Sequence, residues 1–193
     1  MKLSRIAVCV ALVALPVSLA GAAAQEKPQA APQAMPPAPK PGPEHAVLKD
    51  DEGVWDATVE FFMAPGAPPM VSNGVETNTI GCGGLCLITD FKGEAMGQPF
   101  HGHGTAGFDP MKKKYVSTWI DSMSPSIALG ESTYDPAKKA LTGWVEGADM
   151  TGTVVKSKAV TEWPAAGTRI FSMYMTGPDG KEVLGMRITY KRR

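Results

Sequence analysis

The chain has 193 residues with 19 basic and 19 acidic side chains, so its formal net charge is zero. No stripe of Lys and Arg is present, which argues against a nucleic-acid partner. Hydrophobic residues make up 44% of the sequence, enough for one sizeable core.

The first 24 residues have the features of a secretory signal peptide. A basic start precedes an apolar run over residues 6–20. Ala22-x-Ala24 fits a signal-peptidase site, with cleavage before Gln25. The alternative is an uncleaved membrane anchor, because residues 6–24 approach the length of a span. Cleavage is the favoured interpretation, and it places the mature protein in the periplasm or outside the cell.

Residues 25–43 predict a disordered tether. Seven of these 19 residues are Pro, and no large aliphatic or aromatic side chain is present. Such a segment buries too little apolar surface to offset the entropy of ordering it, so an extended, polyproline-like spacer is expected. The remaining residues, 44–193, form one domain, and no apolar stretch after Ala24 is long enough to span a membrane.

The domain is predicted to be all-β. One short helix is expected over residues 42–53, and after it β-rich runs alternate with turn signals. Short connections favour an up-and-down antiparallel sheet, and closure into a barrel of about ten strands removes the exposed edges. The Asp-Pro sequences at 109–110 and 135–136 predict two turns of the same chemistry. The predicted strands are 54–62, 70–80, 85–92, 98–108, 114–122, 126–134, 140–147, 153–163, 168–175 and 182–192.

Several segments carry a resemblance to a known family. They are "EHAVLKDDEGVWDATVEFF" (44–62), "MGQPFHGHGTAGFDPMKKKYVSTWIDSM" (96–123), "YDPAKKALTG" (134–143) and "FSMYMTGPDGKEVLGMRITYKR" (171–192). Together they resemble the bacterial domain-of-unknown-function family fifteen seventy-nine over essentially all of residues 44–193. The resemblance implies a calycin-type β-barrel, related to lipocalins and fatty-acid-binding proteins, and it implies no activity.

The stretch "FHGHGTAGFDP" (100–110) contains a G-x-G-x-x-G pattern. A dinucleotide-binding loop needs a helix that opens inside this pattern. Here Gly107 leads into Phe-Asp-Pro and a Lys-rich turn, where no helix can begin. The glycines are therefore interpreted as bends or close contacts of a curved strand.

The same stretch offers two candidate metal ligands, His101 and His103. Residues i and i+2 of a strand face the same side, so the two imidazoles project together. Such a pair suits zinc, copper or iron, but a third ligand must come from a distant strand. If Gly102 and Gly104 face the barrel interior, the histidines instead point to water.

Cys82 and Cys86 are the two cysteines that follow the leader. In an extended strand they would lie about 13 Å apart, too far for a disulfide. A turn at Gly83-Gly84 would bring them within range, and an oxidising compartment favours the bond. Both alternatives stay open at this point. Leu85 and Cys86 also depart from the family pattern, in which a basic and then an aromatic residue are expected after the two glycines.

The barrel interior is the expected binding site, because pockets form in the mouths of barrels and Met adapts to irregular apolar ligands. We expect a non-covalent binder or carrier of a small apolar or amphipathic molecule. The alternatives are a metal-binding protein or metal-dependent enzyme using His101 and His103, and a structural barrel that acts through a protein partner. No nucleophile elbow or triad is evident, so an enzyme is the less favoured interpretation, and no cofactor is predicted. The candidate lining residues are Trp55, Trp119, Trp144, Phe171, Met173, Met175, Met186 and Tyr190.

Overall fold

The structure is a computed structural model that describes residues 37–193 except Pro65, Met150 and Pro178. The predicted leader and most of the tether lie outside the described residues. A 3-10 helix, Pro43–His45, leads into α1, Ala46–Asp50, and a second 3-10 turn covers Cys82–Gly84. The strands are β1 Gly53–Phe61, β2 Met70–Gly81, β3 Cys86–Ala95, β4 Gln98–Asp109, β5 Lys114–Asp121, β6 Ala128–Asp135, β7 Ala140–Ala148, β8 Val154–Ala165, β9 Thr168–Thr176 and β10 Glu182–Arg192.

The ten strands close into one antiparallel barrel, which confirms the predicted fold class. Each strand pairs with the next along the chain, and β10 returns to pair with β1. The barrel therefore has two distinct ends. At the helix end lie α1 and the β2–β3, β4–β5, β6–β7 and β8–β9 connections. At the opposite end, called the loop end, lie the other five connections between consecutive strands. In the described residues, no helix is long and apolar enough to cross a membrane.

Strand alternation places the core inside the barrel. In β1 the buried residues Trp55, Ala57 and Val59 alternate with the exposed residues Asp56 and Thr58. Successive residues of a strand point to opposite faces of the sheet, so the buried set marks the interior face. The strand register extends this assignment around the whole barrel, because directly paired residues share a face.

The helix end is closed by α1. Val47 and Leu48 are buried against Leu87 and Tyr115, which lie near the starts of β3 and β5. The Tyr115 hydroxyl donates to the Glu44 carbonyl at 2.7 Å. The predicted plug is thus present, although its helical part is shorter than the 42–53 expected from sequence.

A cationic side chain fastens the seam between β1 and β10. The Arg192 guanidinium carbon lies 4.3 Å from the centre of a Trp55 ring, a cation–π contact. The same guanidinium donates to the carbonyl oxygens of Asp50 and Glu52. Asp50 ends α1 and Glu52 directly precedes β1, so one side chain ties the last strand to the first strand and to the plug.

The glycines of the G-x-G-x-x-G stretch lie in β4 and allow one aromatic side chain to approach the sheet. A Cβ at Gly102 would lie 2.1 Å from the Trp119 ring, and one at Gly104 would lie 3.0 Å from it. Real Cβ contacts are never as short as 2.1 Å, so Gly102 is required for the ring to lie flat on β4. The prediction of a curved strand with close contacts is confirmed.

Both Asp-Pro sequences form the predicted turns. The Asp109 carboxylate accepts hydrogen bonds from the backbone amides of Met111 and Lys112 at 2.8 and 3.1 Å. The Asp135 carboxylate accepts the equivalent pair from Ala137 and Lys138 at 3.0 and 3.3 Å. The side chain thus satisfies the turn amides locally, which fixes where β4 and β6 end.

Candidate ligand-binding interior

Seven of the eight candidate lining residues occupy interior-facing strand positions, and six of these lie inside the barrel, short of its rim. Trp55 and Tyr190 are buried in the central core cluster. Phe171 and Met186 pack against that cluster but remain half-buried, as does Trp119. Met173 is the direct β9 partner of Met186 and shares its face. The interior therefore changes from a fully buried core near the helix end to a half-buried apolar lining towards the loop end.

The other two candidates lie elsewhere. Trp144 is on the outer face, because the alternation of β7 turns Gly143 and Val145 inward. Its ring lies under Lys156, whose Nζ is 3.8 Å from the ring centroid, and it borders an outer groove of about 430 Å³. Met175 sits at the loop-end rim with 41% of its surface exposed.

His101 and His103 point away from the interior. Trp119 covers the inner side of β4 at Gly102 and Gly104, so His101 and His103, which alternate with these glycines, face solvent. The His101 Nε2 atom lies 2.9 Å from an Asp90 carboxylate oxygen, and this hydrogen bond lowers the pKa of Asp90. Among residues 37–193 that the structure describes, no group of three His, Cys, Asp or Glu side chains is placed to hold a metal. The metal-dependent alternative stays a prediction.

Cys82 and Cys86 are joined by a disulfide in the structure, with their Cα atoms 5.5 Å apart. The 3-10 turn between them makes this separation possible, because Gly83 and Gly84 adopt positive φ angles of 66° and 96°. The two glycines supply a backbone conformation that other residues rarely adopt. The sequence was compatible with an extended strand or with a turn at Gly83-Gly84, and the chain adopts the turn.

A buried charge cluster lies inside the barrel near the helix end. The Arg169 guanidinium donates to a carboxylate oxygen of Asp51 and to one of Glu76. The Asn78 amide donates to the Glu76 carboxylate at 2.8 Å and to the Asp51 carbonyl at 3.1 Å. The three charged side chains are between 6% and 8% exposed. The cluster is therefore a closed hydrogen-bonded network below the apolar lining.

Aromatic groups complete the surroundings of this charge cluster. The Arg169 guanidinium carbon lies 3.8 Å from the centre of the Tyr190 ring. The Trp55 indole donates to the Asp51 carbonyl at 3.0 Å, and the Trp163 indole donates to the Asp51 carboxylate at 3.4 Å. The two guanidinium nitrogens that contact Asp51 and Glu76 therefore have their partners within the protein. The cluster joins the strands of the barrel to the plug.

Burial and charge act in opposite directions on these groups. Burial raises the pKa of Asp51, and Arg169 only partly opposes that effect. Burial alone would lower the pKa of Arg169, but Glu76 and Asp51 together raise it. Burial also raises the pKa of the Tyr190 hydroxyl well above its ordinary range. Arg169 therefore stays charged, while Asp51 is the carboxyl whose ionisation costs free energy.

Sequence reasoning missed this cluster although one signal was present. In β9, Arg169 has the same parity as Phe171 and Met173, which are predicted lining residues. Strand alternation alone would have placed Arg169 inside the barrel. Its partners could not have been identified, because Asp51 and Glu76 are 118 and 93 residues away in sequence.

One interior hydroxyl has no partner. Ser72 pairs with Val59 in the register of β1 and β2, so it shares the interior face with that buried residue. Its Oγ atom is buried and makes no hydrogen bond within the described part of the chain. Buried polar atoms are normally satisfied, and an exception needs an explanation.

Comparison with known proteins supports the fold and adds no activity. No curated protein matches the chain in sequence. The crystal structure of Rv2717c from M. tuberculosis is similar with a TM-score of 0.56 and 12% identity, covering 79% of this chain and 98% of that one. A redesigned β-barrel is similar with a TM-score of 0.41 and 13% identity, covering 76% and 95%. A family model described as "Protein of unknown function (DUF1579)" matches residues 40–192, and the chain belongs to that family.

Proposed function

We propose that the barrel binds a small apolar or amphipathic molecule non-covalently, in the part of its interior nearest the loop end. The observation that carries the proposal is the incomplete burial of apolar side chains inside a closed barrel. These side chains pack on the buried core yet stay only partly covered; they are Phe61, Phe100, Trp119, Phe171, Met186 and Ile188. Leaving such surface uncovered costs free energy that a bound apolar molecule would recover.

The opposite wall includes several small side chains. By strand register, the interior positions of β5 to β8 include small residues, namely Ser117, Gly130, Ser132, Gly143 and Ala159. Small side chains fill little of a ten-stranded barrel, and barrels of this size range hold one small ligand in known cases. Large side chains on β1, β9 and β10 thus face small ones across the interior.

The Ser72 hydroxyl favours an amphipathic ligand. An unsatisfied buried hydroxyl costs about 1–3 kcal/mol, and an acceptor group on a ligand would remove that penalty. The proposed ligand class therefore has an apolar body and at least one hydrogen-bond acceptor. Pockets of this composition, mostly apolar with a few polar contacts, are the usual form of small-molecule sites.

Titration with 1-anilinonaphthalene-8-sulfonate tests the proposal, because this probe has an apolar body and an acceptor group. We expect saturable binding that weakens about tenfold in Phe171→Ala, equivalent to about 1.4 kcal/mol. Trp144→Ala is the matched control, since it removes an aromatic side chain from the outer face. Absence of saturable binding, or equal weakening in both variants, would refute the interior site.

The polar contact is tested separately with Ser72→Ala. We expect weaker binding of the sulfonate probe, by about tenfold for the loss of one hydrogen bond to a charged group. Binding of the uncharged probe N-phenyl-1-naphthylamine should change less than twofold. Equal losses for both probes would show that Ser72 contributes only packing.

We also propose that the protein is exported to the periplasm or beyond. The leader pattern at residues 1–24 supports this, and so does the Cys82–Cys86 disulfide, because such bonds persist in oxidising compartments. Sequencing the N-terminus of protein purified from its native host should give Gln25 as the first residue. A retained Met1 would contradict cleavage.

A further inference from the structure

Each of the five connections at the loop end presents an exposed apolar side chain. They lie in the connection or within two residues of it; one is taken for each connection, and the five together are called the apolar rim. Their exposed fractions are 67% for Met63, 41% for Met96, 58% for Ile127, 69% for Val154 and 41% for Met175. A single exposed apolar residue needs no explanation, but a set contributed by every connection at one end does.

The helix end differs. Among the turns described there, Met111 is the one large hydrophobic side chain that is comparably exposed, at 91%. The other three turns at that end carry the disulfide, the Asp135-Pro136 sequence and small residues. Exposed apolar side chains are therefore concentrated around the mouth through which the proposed ligand would enter.

The lysines nearest the apolar rim are engaged within the protein, and Lys156 lies over the Trp144 ring. Lys158 and Glu182 form an ion pair of 2.6 Å, and Lys181 and Asp179 form one of 3.2 Å. The Asp149 carboxylate accepts hydrogen bonds within its own turn. An anionic surface would find few free lysines to match, whereas a neutral surface requires none.

We propose that the apolar rim docks onto the surface of a zwitterionic lipid bilayer, so that the barrel mouth opens towards the lipid. Because the five side chains come from separate connections around a closed barrel, they form a ring rather than a groove. A ring matches a flat, fluid, neutral surface that needs no side-chain complementarity. Binding of this kind depends on buried apolar area and, without a basic patch, is insensitive to salt. The proposal rests on the proposed function, since it gives an apolar ligand a route between bilayer and interior.

Fluorescence quenching by brominated phosphatidylcholine vesicles identifies which end of the barrel contacts lipid. Two variants of the full chain each carry one added tryptophan, I127W on the apolar rim and M111W at the helix end. The emission of the unsubstituted protein is subtracted, which removes the signal of its own tryptophans. Any membrane interaction of the N-terminal segment is common to the two variants and does not distinguish them. We expect quenching of the I127W signal to be at least threefold greater than that of M111W, and unchanged between 0.1 and 0.5 M salt.

A second substitution tests the ring itself. Adding Met63→Ser and Val154→Ser to I127W should reduce its quenching to the level of M111W, because both side chains are exposed and lie on the rim. Equal quenching of I127W and M111W, or loss of quenching in high salt, would overturn the proposal. So would a rim-dependent dimer detected by light scattering, which would make a second copy the occupant. Probe binding without vesicles is measured in parallel, so a failure of the interior site is distinguished from a failure of docking.

Discussion

Replacing Arg169 by Met should strongly destabilise the barrel. The guanidinium is the cationic partner of both Asp51 and Glu76, and its side chain is 7% exposed. Removing one partner of a buried ion pair costs about 3–5 kcal/mol, because the remaining charge stays buried without compensation. Loss of the cation over the Tyr190 ring adds about 1 kcal/mol. A total of about 4–6 kcal/mol is a large part of the 5–15 kcal/mol typical of a domain.

The loss should depend on pH in a defined direction. Burial and the nearby Glu76 carboxylate raise the pKa of Asp51, and Arg169 opposes them. Without the guanidinium the folded-state pKa of Asp51 rises further above its unfolded value. A carboxyl with a raised folded pKa costs stability above that pKa, and the cost falls as the pH drops through it. The difference in free energy of unfolding between wild type and Arg169→Met should therefore be smaller at pH 5 than at pH 7.5.

Urea denaturation followed by tryptophan fluorescence measures these differences. Arg193→Met is the matched control, because Arg193 pairs with Asp56 on the surface, where both side chains are more than half exposed. Such surface pairs contribute about 0–1 kcal/mol. Adding Asp51→Asn to Arg169→Met should restore part of the stability at pH 7.5. A loss below about 1 kcal/mol, or an equal loss at both pH values, would refute the uncompensated-charge argument.

Two further substitutions test close packing and the disulfide. Gly102→Ala should lower the free energy of unfolding by about 1–3 kcal/mol and shift the tryptophan emission, because the added methyl group overlaps the Trp119 ring. The control is Gly107→Ala, whose added methyl group would have its nearest contact at 3.4 Å, so stability and emission should stay unchanged. Equal effects of the two substitutions would contradict the contact between Gly102 and Trp119. Replacing Cys82 and Cys86 by Ser should cost about 2 kcal/mol in urea denaturation, as expected for a very short loop. Reduction of the wild type should give the same loss, and a wild type insensitive to reductant would contradict it.

Local sequence features predicted most of the fold. Ten β-rich runs and their turn signals corresponded to ten strands, since alternation and turn chemistry are encoded within a few residues. The Asp109 and Asp135 turns illustrate this, because each carboxylate satisfies amides two and three residues later. Boundaries were less predictable: β6 begins at Ala128, two residues after the predicted start.

The candidate site depended on contacts that are distant in sequence. Alternation placed His101 and His103 on one face, but which face was interior depended on Trp119 covering Gly102 and Gly104. Trp144 was predicted to line the interior because it is large and apolar. It alternates with Gly143 and Val145, whose inward orientation is known only from the register, so Trp144 faces outward. Size and hydrophobicity alone do not identify the face of a strand.

The seam between β1 and β10 has a consequence for how the chain folds. Nine strand pairs join neighbours in sequence, whereas this pair joins Trp55 to Arg192 across almost the whole domain. Closing a loop of that length costs about 4 kcal/mol of chain entropy, so the nine hairpins can form before the seam does. β10, which closes the seam, follows the other nine strands in the chain. An incomplete chain would thus be a curled, open sheet with two free edges, and substitution of Arg192 should mainly accelerate unfolding.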